Sequence, residues 1–125
     1  MRVARIEIDG QEHLLCFSLR VLRAVCERYG GIEYLDAATS SEDQAHNLSE
    51  AVWQMATMMD AGDRYARERG LYNPSPLTED QLLDLCTIYD FSKFRAKIRE
   101  TIISGSEAQI QAEFPNGETT QAEIA

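Results

Sequence analysis

The chain has 125 residues, 44% of them apolar, which suits one domain built around one modest core. Twelve basic against 21 acidic side chains give a net charge of −9, which argues against generic binding to a nucleic-acid backbone, where a basic surplus is needed. Cys16, Cys26 and Cys86 are odd in number and widely spaced, with no CxxC pair and no signal peptide ahead of them, so they read as reduced, mostly buried thiols of a cytosolic protein.

Residues 3–17, VARIEIDGQEHLLCF, alternate around Asp9-Gly10, which predicts a β-hairpin. A two- or four-residue loop puts Ala4, Ile6, Ile8, His13, Leu15 and Phe17 on one buried face. The shorter loop would set Glu7 opposite Glu12, so the four-residue loop is expected.

Ser18 is a candidate N-cap for a helix with Leu19, Leu22, Val25, Cys26 and Tyr29 as its stripe, ended by Gly30 and Gly31. A short helical turn follows over 32–38, and Ser41 with Gln44 reads as a capping box. The helix over 41–60 is the centre of the chain. Ala45, Leu48, Val52, Met55, Ala56 and Met59 form its inner stripe, widened by Ala51 and Met58, while Asp43, His46, Glu50, Gln54 and Thr57 form the wet arc. Trp53 lies on that wet arc, which implies packing under another element or contact with a partner.

Gly62 predicts a break or bend after Asp60. Pro74 and Pro76 exclude helix, and Thr78 with Gln81 forms a capping box for a helix with Leu82, Leu85, Cys86 and Tyr89 inside. Asp90 or Ser92 then caps a last helix with Phe91, Phe94, Ile98 and Ile102 as its stripe, closed by Gly105. Residues 106–125 hold four glutamates and no Lys or Arg, and read as a flexible acidic tail; without them the net charge is −5. The expected architecture is α+β and mainly α-helical, with the hairpin packed on four to five helices in one domain over 1–105.

No active site emerges. His13 and His46 have no partners at metal-ligand spacing, the glycines are scattered, and Cys16 points away from the face of His13 on their shared strand. The carboxylate pairs read as caps and solvated faces, so neither metal nor cofactor is expected. No apolar run approaches the ~18 residues of a membrane span. What remains points to binding. Lys93, Arg95, Lys97 and Arg99 form a basic belt whose stems cover the core edge or whose charges meet an acidic partner or the tail. Met55, Met58 and Met59 suit either the core or an adaptable binding surface.

The order of these features resembles a known family. The I-E-I-D-G hairpin, the F-S-L-R-V-L-R-A-V-C-E-R-Y-G-G helix, the Y-L-D turn, the A-V-W-Q-M-A-T-M-M-D-A-G helix, P-L-T-E-D-Q-L-L and a last helix ending in S-G are similar to the tail assembly chaperones of long-tailed, siphovirus-type phages and prophages. The resemblance covers about residues 3–105. It implies a non-enzymatic protein of the host bacterial cytoplasm, absent from the mature virion. Such a protein binds the tape-measure protein and helps recruit the major tail (tube) protein, with no nucleic acid or membrane as partner. Many members also occur as a frameshifted longer form, and the short acidic tail resembles the shorter one. On this reading, a groove between the central and last helices takes amphipathic helices of the tape-measure protein. Trp53, Met55, Met58 and Met59 lie nearby, and Lys93, Arg95, Lys97 and Arg99 orient acidic stretches. The alternatives are a head–tail connector or completion protein and, with less support, a helix-turn-helix DNA-binding regulator.

Overall fold

The computed structural model describes residues 3–113, with side chains described through Ser106. Strands β1 (Val3–Ile8) and β2 (Gln11–Cys16) form an antiparallel hairpin, followed by α1 (Leu19–Tyr29), two 3-10 turns (Ile32–Tyr34 and Ala37–Thr39), α2 (Gln44–Glu68), α3 (Glu79–Leu85) and α4 (Ile88–Glu113). The fold is α+β and mainly helical, as the sequence implies. Among the described residues no helix is long and apolar enough to cross a membrane.

The hairpin closes through two residues rather than four. Asp9 and Gly10 have φ of 53° and 77°, the pair of positive angles that a two-residue turn matched to strand twist requires. Glu7 therefore does stand opposite Glu12. The two carboxylates are exposed, and Arg5 reaches Glu12 at 3.6 Å, which offsets part of the repulsion. Ala4, Ile6, Ile8, His13 and Leu15 are buried on one face, as alternation demands. Phe17 lies beyond the strand, half-buried.

Ser18 caps α1 by accepting from the Val21 N–H, and Gly30 ends it in the left-handed region at φ 94°, its N–H donating to the Cys26 carbonyl. The buried stripe is rotated from the expected one. Val21 and Val25 face the core, while Leu19 and Cys26 are exposed. Cys16 is the buried thiol and Cys86 is half-buried.

Asp43, not Ser41, caps α2, accepting from the His46 N–H at 3.1 Å. Ser41 instead pairs with Asn47. The helix runs 25 residues without the break expected at Gly62. The glycine has a packing role there: a Cβ on it would stand 1.9 Å from the Leu14 carbonyl oxygen, so its absence lets β2 lie directly on α2. The Leu14 N–H, on the same strand edge, donates to the Asn73 carboxamide oxygen at 2.9 Å, so the edge is covered by α2 and the loop ahead of α3.

Gly105 has a related role. Helix α4 does not close there but continues to Glu113, and the glycine lies against Phe17, whose carbonyl oxygen would be 3.1 Å from an added Cβ. The first eight residues of the expected tail are therefore helical, and 114–125 lie outside the described residues. At the start of α4, Thr87 rather than Asp90 or Ser92 begins the cap; its N–H donates to the Asp90 carboxylate while the Asp90 N–H donates to the Thr87 hydroxyl. Thr78 and Gln81 make the expected capping box on α3. That helix stops at Leu85, leaving Leu82 buried but Leu85 and Tyr89 exposed.

The core gathers the inner hairpin face, Val21 and Val25, the middle of α2, Leu82, and Phe94 and Ile98 of α4, with Phe91 and Ile102 packed at its edge. Met55, Met58 and Met59 sit at its centre, where unbranched thioethers fill irregular gaps. Met59 also accepts the Leu77 N–H on its sulfur at 3.2 Å.

Candidate partner-binding surface

The two ends of α2 differ in what surrounds them. Near its start, Ala45 and Leu48 are exposed rather than buried. A groove of about 490 Å³ opens there between α2 and the first turns of α4, with Leu48, Ala51, Ile88, Phe91 and Phe94 supplying its apolar surface and Gln44, Asn47, Ser92 and Arg95 its rim. Ile88 is 88% exposed, and Leu83, Leu85 and Tyr89 lie exposed close by in sequence. Helix α3 has only seven residues, so one face of it cannot bury the apolar density of 82–91.

The expected partner-binding residues do not converge on this groove. Met55, Met58 and Met59 are fully buried and present no surface to a partner. Trp53 lies toward α1, on the wall of a separate cleft formed with Val21, Ala24 and Leu77. Its ring meets Tyr29 edge-on at 5.6 Å, and the Arg28 guanidinium stacks on it at 4.4 Å. It is thus packed against the end of α1. Of the basic belt, Arg95 alone lines the groove. Arg95 and Arg99 both reach the Asp36 carboxylate, at 3.2 and 3.3 Å, and Arg95 also donates to the Ser40 hydroxyl, which ties α4 to the second 3-10 turn. Lys93 lies over the Tyr89 ring at 4.3 Å and Lys97 pairs with Glu100 at 3.4 Å.

Two residues of the expected wet arc, Glu50 and Gln54, are buried. Arg28 donates twice to the Glu50 carboxylate, at 2.8 and 3.1 Å, and the Tyr29 hydroxyl donates at 2.7 Å. Gln54 then donates to the Tyr29 hydroxyl and the Leu35 carbonyl. The Arg28 bonds hold Glu50 below the usual carboxylate range, and burial pushes the Tyr29 hydroxyl up to about 12. Arg28 is held above its ordinary value by the same carboxylate. This network joins α1, α2 and the first 3-10 turn; its groups satisfy one another. Sequence spacing gave no sign of it, because its partners lie 19 to 25 positions apart.

His13 is the exception to that satisfaction. Its ring is buried among apolar side chains and its Nδ1 has no hydrogen-bond partner among the described residues. Burial lowers its pKa, which keeps it neutral. Among the described residues no group of three or more His, Cys, Asp or Glu is placed to hold a metal ion. Comparison of the chain with family models, curated proteins and solved structures finds no match.

Proposed function

We propose that this protein is a tail assembly chaperone of a long-tailed phage or prophage. In this reading it works without catalysis in the host bacterial cytoplasm, binds the tape-measure protein and helps bring tube subunits onto it. A frameshifted longer form of the same chain is a further partner, and the protein is absent from the finished virion.

The observation that carries the reading is the apolar groove between α2 and α4, with Ile88 exposed at its mouth. A groove with apolar walls and a polar rim suits the apolar face of an amphipathic helix, and a long tape-measure protein supplies many such helices. The net charge of −9 keeps a protein with this exposed surface dispersed while it is empty. In this reading Leu48, Ile88 and Phe91 of the groove, rather than the three buried methionines, are the contact residues.

Affinity capture of the tagged protein from cells expressing the complete tail gene set tests the proposal, with a parallel assay of purified virions. Recovery of the tape-measure or tube protein, with the bait absent from virions, supports it. Stoichiometric presence in virions supports the connector reading instead.

A further inference from the structure

About 20 Å along α2 from the groove, at 1.5 Å per residue between Ala51 and Tyr65, a third cleft, of about 810 Å³, opens against the segment that leaves β2 and shares Arg20, Ala61 and Arg64 with the Trp53 cleft. It shares no lining residue with the groove. Arg20, Arg64, Arg67 and Arg69 line it, with Leu19 and Tyr65. Four of the chain's 12 basic side chains thus meet in one cleft of a protein whose net charge is −9.

Their engagements differ. Arg64 pairs with Asp60 at 3.0 Å and Arg67 with Asp63 at 3.1 Å, each one turn back along α2. Arg69 stacks on the Tyr65 ring at 3.8 Å. Arg20 and Arg69 pair with no carboxylate among the described residues, and Glu68 is the acidic side chain lining the cleft. Arg69 also donates to the Tyr65 carbonyl at 3.5 Å, which leaves the rest of its guanidinium fork, and that of Arg20, facing no carboxylate among the described residues; such forked donors suit carboxylates. Leu19 stands 83% exposed beside them.

We propose that this cleft docks an acidic segment of a partner polypeptide. Arg20 and Arg69 receive its carboxylates, while Leu19 takes an apolar side chain of the same segment. The exposed leucine favours a peptide over a free phosphate, which would not use it. The overall negative charge disfavours a nucleic acid, whose long phosphate array feels the whole field.

A dye-labelled, glutamate-rich peptide carrying one leucine, titrated into the full chain and followed by fluorescence anisotropy, tests the assignment. Binding should saturate and weaken as salt rises to about 150 mM. Arg20→Gln with Arg69→Gln should lower affinity about fivefold, as loss of two exposed charge pairs implies. Arg20→Gln alone, at an exposed site with no ion pair among the described residues, should lower it in the same direction and keeps the test valid if Arg69, at the end of α2, affects folding. Equal loss on Arg5→Gln, outside the lining of the cleft, would show diffuse charge attraction and overturn the site. Preferential binding of tripolyphosphate or an oligonucleotide would overturn the peptide assignment, and equal binding of a leucine-free peptide would overturn the role of Leu19. Binding that appears only after removal of 114–125 would make this chain's own acidic segment the occupant and overturn the partner assignment.

Discussion

Gly62 of α2 lies directly on the Leu14 carbonyl of β2, where a side-chain Cβ would stand 1.9 Å from the oxygen. The contact is with backbone, so no rotamer change can relieve it. Gly62→Ala should therefore destabilise the fold by about 2 kcal/mol or more, although the same change in an open helix stabilises by about 1 kcal/mol. The change in urea midpoint has opposite signs in the two cases. Gly105→Ala, against the Phe17 carbonyl at 3.1 Å, should cost less.

Glu50 accepts from both Arg28 and Tyr29 within a mostly buried network. Glu50→Gln removes the charge that anchors Arg28 and should cost about 1–3 kcal/mol, discounted because the Arg28 side chain is 38% exposed. Tyr29→Phe loses one hydrogen bond and leaves the ion pair, so denaturation should show a smaller loss, about 1 kcal/mol. The Glu50 pKa is depressed on folding, so its contribution is present above the ordinary value of 4.5 and is lost as pH falls through the folded value. Glu50→Gln should flatten the stability profile in that acid range.

His13 gives a second pH dependence at milder acidity. Its folded pKa lies below 6.5 because burial disfavours the imidazolium. The unfolded chain therefore binds more protons below that pH, and stability present above 6.5 falls as pH drops. Urea midpoints taken across about pH 7.5 to 5.5 should decline, and His13→Gln should remove most of that decline.

The groove and the methionines separate by mutation. Ile88→Asp, at an exposed position, should leave the thermal midpoint nearly unchanged yet weaken capture of an amphipathic helical segment. Met58→Ala should instead cost about 2–5 kcal/mol through the cavity it leaves. If Ile88→Asp leaves binding intact, the groove is not the contact.

Features fixed by neighbours in sequence were legible without a structure. The Asp9-Gly10 hairpin, the Ser18 cap, the left-handed Gly30 and the Thr78 capping box all depend on residues within a few positions. The stripe of α4 was legible too, because Phe94 and Ile98 repeat at helical spacing. Gly62 and Gly105 read as helix breaks because their reasons, Leu14 and Phe17, are distant in the chain. Glu50 and Gln54 read as wet because a helical wheel cannot show that Arg28, Tyr29 and Leu35 come to meet them. The residues that line the groove between α2 and α4 were not legible. Ile88 joins Leu48 only because α3 ends early and α4 starts at a cap invisible to the apolar pattern.

Photo-crosslinking from position 88 in cells making the full set of tail proteins tests the central claim most directly, since it reads the groove and its occupant together. The proposed function predicts a crosslink to the tape-measure protein, lost on Leu48→Asp, with position 58 silent because Met58 is buried. Absence of any crosslink to a tail protein from position 88, or the crosslinked chain recovered as a stoichiometric part of the virion, would contradict it.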